Sequence, residues 1–233
     1  MIHAKAESRP ARASLAQEVA AIDGSAWLAY SAPAVPYTST YCWQDGNSNQ
    51  QPQSSGKVSL EGFTEIHIFV RVEARRVNRI RTFSPECEID AGDLPVTWLT
   101  GVTTAQSVAF LKSERAVDAI GPHLGPEADA ALEDFVTAMH ADKIRRQAAF
   151  WLGSTRKQRG VDLLTKMLRD DPSPRFREDA VFALSRAKEG IPVLIGAARQ
   201  RTGDKKVREK AMFWLARSED PRAKQFVEEV LAH

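Results

Sequence analysis

Ile144-Arg-Arg-Gln-Ala-Ala-Phe-Trp-Leu152, Phe176-Arg-Glu-Asp-Ala-Val-Phe-Ala-Leu184 and Val207-Arg-Glu-Lys-Ala-Met-Phe-Trp-Leu215 spell one pattern three times, with starts 32 and 31 residues apart. Self-similarity at that period marks a helical repeat array, in which no unit buries its apolar face alone and each stacks on a neighbour. Offsets 0, 4, 7 and 8 are apolar in every copy: Ile144, Ala148, Trp151 and Leu152; Phe176, Ala180, Ala183 and Leu184; Val207, Ala211, Trp214 and Leu215. At 100° per residue these fall on one side of a helix. A second helix follows each first one, with stripes Val161, Leu164, Met167 and Leu168, then Ile191, Leu194, Ile195 and Ala198, then Ala223, Phe226, Val227, Val230 and Leu231. Asp171-Pro-Ser-Pro174 separates two repeats, and Asp220-Pro221 makes the turn inside the last, because proline suits only the first turn of a helix. The repeats span 143–174, 175–205 and 206–233. Ala105–Leu111 and Ala128–Met139 read as a weaker leading pair, a cap spanning 105–140.

Upstream the period changes. Ser14 caps a short helix over 14–22, with Leu15, Val19 and Ile22 on one face. Trp27–Tyr30 reads as a strand ended by Pro33 and Pro36. Residues 43–57 are rich in Gln, Asn, Ser and Gly and read as a mobile loop. In Glu65–Glu73, Ile66, Ile68, Val70 and Val72 alternate with His67, Phe69, Arg71 and Glu73, as on a strand. Arg76–Ser84 is a second strand, joined to the first as a hairpin by Ala74-Arg75, and Val96–Leu99 a third. The expected fold class is α+β, with a small antiparallel sheet domain over 1–101 followed by an all-α solenoid over 102–233. So small a sheet needs cover, which the helix at 14–22 and the first repeat are expected to supply.

The composition of the 233 residues, 43% hydrophobic and 27% charged, is that of a folded protein. The net charge of +2 hides an asymmetry. Residues 1–141 hold 11 Lys/Arg against 17 Asp/Glu, whereas 142–233 hold 21 against 13. The basic repeat region suits an anionic partner, or attracts the acidic half. No apolar run reaches the length of a membrane span; the longest, Ile191–Ala198, contains Pro192. Met1–Leu15 lacks a continuous apolar core, so no signal peptide is expected there. The protein is then cytosolic, or a mature chain whose leader was left out. Cys42 and Cys87 fit no metal or redox spacing and are either isolated thiols or one disulfide tying the loop to a strand. In an exported protein they are expected to pair.

The pattern apolar-Arg-x-x-Ala-x-Phe-x-Leu, with Asp-Pro-Arg-Ala at Asp220–Ala223, resembles bacterial HEAT-like repeats of the short kind. The resemblance covers 143–233 well and 105–140 loosely. It implies a scaffold protein; some relatives are bilin lyases of light-harvesting complexes and one group is DNA glycosylases. Ile80–Asp90 resembles a region of uncharacterised secreted bacterial HEAT proteins, which implies an envelope location with the leader removed.

Catalytic and metal chemistry finds little support. His3, His67, His123, His140 and His233 are scattered, and no phosphate-cradling or nucleophile-elbow motif occurs. Glu86, Glu88, Asp90 and Asp93 cluster around a glycine turn, and a solvated face accounts for them better than calcium. The recurrent Arg145, Arg177 and Arg208 either line a ligand row or, the favoured reading, bond to acidic residues and helix-end carbonyls of the adjoining repeat. Phe150, Phe182 and Phe213 recur at offset 6, outside the main stripe; burial between repeats is expected, an exposed ladder being the alternative. No cofactor, metal or enzymatic activity is expected. The reading is a non-catalytic scaffold that docks a protein with an acidic patch on the concave, second-helix face, through Lys166, Arg169, Arg199, Gln200, Lys224 and Gln225. The alternatives are an enzyme of the lyase or glycosylase type and a nucleic-acid-binding module using the basic half.

Overall fold

The structure is a computed structural model that describes residues 2–3, 6–37, 63–200 and 203–232. Cys42 and the segment expected to be a loop, 43–57, lie outside the described residues. The chain divides into two compact units, Met1–Ala128 and Asp129–His233.

The first unit holds strands β1 (Ile2–His3), β2 (Ala6–Pro10), β3 (Ser25–Tyr37), β4 (Phe63–Glu73), β5 (Arg76–Phe83), β6 (Ile89–Asp90) and β7 (Val96–Thr100). Its helices are α1 (Leu15–Ala20), α2 (Thr104–Ser113) and α3 (Val117–Ile120). Ser14 caps α1 in a capping box with Gln17, and Thr103 does the same for α2 with Gln106. The main sheet runs β2-β7-β3-β4-β5 and β1 pairs with β6 apart from it.

This sheet is mixed, which corrects the antiparallel expectation. β3, β4 and β5 are antiparallel, but β7 lies between β2 and β3 and runs parallel to both. The chain leaves the hairpin at β5, crosses back, and fills the open side of β3, as a parallel pair requires of its connection. β2 has no apolar alternation to announce it, because it is an exposed edge strand reading Ala-Glu-Ser-Arg-Pro. β3 also continues through both prolines. The Pro33 carbonyl turns away from β4 and accepts from Leu124 N–H, so the N–H that proline lacks is not missed on the β4 side. Around Pro36 the register with β4 shifts.

The β4–β5 hairpin turns through Ala74 and Arg75, both at positive φ (48° and 64°). That is the left-handed pair a two-residue turn needs to follow strand twist. Neither residue is glycine; Gly24 and Ile22 carbonyls take the two turn N–H groups, and Arg75 pairs with Asp23. Both faces of β4 are covered. Ile66, Ile68, Val70 and Val72 are all buried, and on the opposite face Phe69 joins Ala29, Phe83, Cys87 and Val96 in a separate core edged by Trp27 and Trp98.

The first unit runs to Ala128, beyond the expected boundary at 101/102. The reason is a buried polar chain. Tyr30 Oη on β3 lies 3.0 Å from Ser107 Oγ on α2, which lies 2.8 Å from His123 Nε2. His123 Nδ1 donates to the Ala119 carbonyl at 2.9 Å. With helices α2 and α3 so fastened to the sheet, the leading part of the expected cap belongs to this unit.

The second unit contains α4 (Pro126–Phe135), within which the boundary falls, then α5 (Asp142–Thr155), α6 (Lys157–Asp170), α7 (Pro174–Leu184), α8 (Ile191–Arg199), α9 (Lys205–Ala216) and α10 (Pro221–Leu231). Ser173 and Asp220 cap α7 and α10 immediately before Pro174 and Pro221. First helices contact one another in chain order, α5 on α7 and α7 on α9, while α8 meets α10. Ala148, Ala180 and Ala211 are each 0% exposed. At Gly153 the approach is closer still: a β-carbon there would lie 2.0 Å from the Ala183 carbonyl oxygen. The second-helix stripes are buried in their first halves only; Val230 and Leu231 are exposed.

Ala180→Leu overpacks the middle pair and is expected to cost about 1–3 kcal/mol in urea unfolding, with Gly153→Ala at least as costly because it meets backbone.

Glu18 supplies a pH-dependent contribution. Its carboxylate accepts from both terminal nitrogens of Arg9 (3.1 and 2.6 Å) and from Arg12 N–H (2.7 Å). The Arg9 bonds hold its pKa below the ordinary carboxylate value against the opposing effect of burial. A lowered folded-state pKa means the stabilisation is full above the ordinary glutamate range and is lost as pH falls through the folded value. Glu18→Gln should therefore lower Tm at neutral pH, and the gap from the wild type should close on acidification below pH ~4.

Candidate interaction surfaces

The recurrent arginines are structural. Arg145 is buried, its Nε donates to the Val136 carbonyl at 3.0 Å, and its guanidinium pairs with buried Asp171 while lying 3.7 Å over the Phe176 ring. Arg177 donates to the Asp171 carbonyl at 2.7 Å and pairs with Asp204 at 3.3 Å. Arg208 donates to the Gln200 carbonyl at 3.2 Å. Each reads the backbone at or just beyond the end of the preceding helix, where carbonyls have no helical partner.

The second-helix row is exposed but not bare. Arg169 is bidentate with its neighbour Asp170 (2.7 and 2.8 Å), Arg199 pairs with Glu229 at 3.2 Å, and Lys224 pairs with Glu219. Gln225 donates to Glu229 at 3.2 Å. Lys166 is exposed, close enough to Asp170 to help depress its pKa, though the Arg169 bond does more. Arg169 and Gln200 flank a groove of about 570 Å³ between α6 and α8, floored by Leu168, Val193 and Ala197. Arg199 lies on a second one, about 650 Å³, with Met212, Phe226 and Val230. Lys166, Lys224 and Gln225 line neither groove.

The first-helix side differs from expectation. Phe150 is half-buried, whereas Phe182 is 36% and Phe213 50% exposed. Phe150 and Phe182 stack with centroids 6.2 Å apart, Phe182 meets Trp214 at 5.0 Å, and Trp214 meets Phe213 at 5.1 Å. Arg186 lies 5.8 Å over the Phe150 ring and Arg217 5.0 Å over that of Phe213. Offset 6 is thus a surface aromatic row linking successive first helices, because those helices meet through alanine and glycine and leave larger rings outside.

In the first unit, Ser107 on α2 and His123, just past α3, form a hydrogen-bonded pair that sequence spacing does not reveal, the two lying 16 residues apart. A carbonyl can only accept, so His123 carries its proton on Nδ1, and Nε2 accepts from the Ser107 hydroxyl. Tyr30, Ser107 and His123 are all 0% exposed, and burial pushes the Tyr30 hydroxyl pKa well above its ordinary value. The pair fastens elements together. Cys87 is buried and disulfide-bonded. Asp90 accepts from Gly92 N–H, and among the described residues no three His, Cys, Asp or Glu side chains gather as metal ligands.

Removing Asp171 leaves the Arg145 charge buried without its counter-ion, so Asp171→Ala should cost about 3–5 kcal/mol in urea unfolding. Asp170→Ala, which removes only a surface partner, should leave the midpoint nearly unmoved.

No curated protein matches the chain. Residues 144–170, which cover most of α5 and all of α6, match the family model of the PBS lyase HEAT-like repeat, so the chain carries a HEAT-like repeat there.

Proposed function

We propose that α5 to α10 form a HEAT-like solenoid that serves as a non-catalytic scaffold, docking a partner protein on its second-helix face. The observation that carries this reading is the groove between α6 and α8, where Arg169 and Gln200 flank an apolar floor. A docking surface works best with an apolar centre and a polar rim, and this groove has both. Arg199 extends the rim toward α10, beyond which Lys224 and Gln225 are exposed. The ion pairs along the row are solvent-exposed, and such pairs are weak. A carboxylate on a partner can displace Asp170 from Arg169, or Glu229 from Arg199, at small cost. That selects a partner with an acidic patch over a neutral one. Long charged side chains steer the encounter more than they hold the complex.

The test is capture of native-host proteins on the immobilised chain, with quantitative comparison against Arg169→Glu/Arg199→Glu. The double reversal should slow association with the captured partner while leaving Tm within a few degrees. Equal capture and equal association rates on both surfaces would remove this face from consideration.

A further inference from the structure

The aromatic row on the first helices carries a second, independent inference. Phe150, Phe182 and Phe213 occupy the same repeat position, and the last two keep 36% and 50% of their surface in water. Exposed phenylalanine repeated on neighbouring helices forms one patch rather than isolated side chains. The charge around it is positive. Within their bounds α5, α7 and α9 carry nine Lys/Arg against four Asp/Glu, Arg217 follows α9 directly, and Arg186 lies two residues past the end of α7. Three of those four acids are already engaged: Asp179 faces Arg146 at 3.9 Å, Glu178 meets Lys210 at 2.9 Å and Glu209 meets Lys205 at 3.7 Å. Arg186 and Arg217 are exposed, have no carboxylate partner among the described residues, and rest on the rings of Phe150 and Phe213.

We propose that this row binds an acidic peptide segment whose apolar side chains pack on the exposed ring edges while its carboxylates take Arg186 and Arg217. Two anionic polymers suit aromatic rings beside arginine, and ring geometry decides between them. A nucleobase binds by stacking on a free aromatic face. Here Phe150 and Phe182 lie 19° from parallel and face each other, and guanidinium groups lie over Phe150 and Phe213. Each ring therefore already has a face in contact with a neighbour, and ring edges pack against leucine or phenylalanine side chains. Arginine adds a planar fork that matches a carboxylate. The surface is separate from the second-helix groove, so two segments can be held at once, one on each helix layer. The inference does not depend on the groove reading, and the same assay separates them.

The probe is a fluorescein-labelled peptide of three Asp-Leu-Glu-Phe repeats, followed by anisotropy against the full chain, with a Lys-Leu-Lys-Phe peptide and a single-stranded oligothymidylate as competitors. The acidic peptide should bind and weaken with added salt. Arg186→Glu/Arg217→Glu should raise Kd by about tenfold or more, and Phe213→Ala by about tenfold, since ring and arginine anchors dominate such contacts. Phe213 is half exposed, so its variant should fold, with circular dichroism and Tm unchanged as the check. Arg169→Glu/Arg199→Glu should bind the peptide as the wild type does. Absence of binding, loss of binding in Arg169→Glu/Arg199→Glu but not in Arg186→Glu/Arg217→Glu, or displacement by oligothymidylate at lower concentration than by unlabelled acidic peptide would each overturn the proposal.

Discussion

The second unit depends on a buried guanidinium. Arg145 and Asp171 are both almost wholly withdrawn from water, at 3% and 2% side-chain exposure. Withdrawing two charges is costly, and their attraction repays it only when every remaining donor and lone pair is occupied. Specific geometry supplies partners on both sides of the pair. Arg145 reaches back to the Val136 carbonyl and forward to Asp171, and its plane covers the Phe176 ring; the other Asp171 oxygen takes Ser173 N–H at 2.9 Å. One side chain thereby joins the end of α4, the start of α7 and the link before it. Lysine, with a point charge and no plane, cannot make these contacts together. Arg177 repeats the arrangement one pair on, less buried, using the Asp171 carbonyl and Asp204.

The first unit solves a similar problem with neutral groups. Its helices dock on a sheet whose faces are both apolar, and apolar contact alone does not fix which residue meets which. The chain Tyr30–Ser107–His123–Ala119 does fix it, because the direction of each bond along it is set once the Ala119 carbonyl fixes the imidazole tautomer. A fully satisfied buried network specifies one arrangement, where a half-satisfied one would penalise all of them.

Local signals in the sequence were strong where they were periodic. The three copies around Ala148, Ala180 and Ala211 gave helix positions, burial and the structural reading of the arginines. Alternation from Ile66 to Val72 gave β4, and the two-residue link Ala74-Arg75 gave the hairpin. What failed was what pairing decides. β2 has no pattern of its own, and whether β7 runs parallel to β3 depends on a crossover that no local stretch encodes. Pro33 and Pro36 signal a strand end by propensity, but tertiary pairing through Leu124 overrides it. Of the candidate row, Arg169, Arg199 and Gln200 fall along grooves, while the intrachain pairs with Asp170, Glu229 and Glu219 were invisible, since no periodicity states which carboxylate a long side chain reaches.

The two helix layers present chemically different surfaces for a reason rooted in the repeat. On the second helices, carboxylates such as Asp170 and Glu229 stand beside the cations, so charge is balanced locally and the uncovered apolar surface lies in grooves. On the first helices, alanine at offset 4 and Gly153 let backbones approach so closely that the next large residue, offset 6, has no crevice to enter. The rings are driven outward, where they cover one another and receive arginine instead of acid. Close packing inside and aromatic exposure outside are therefore one constraint: the small residues that join the pairs are also what leaves a ring-and-guanidinium surface on the other side of the same helices.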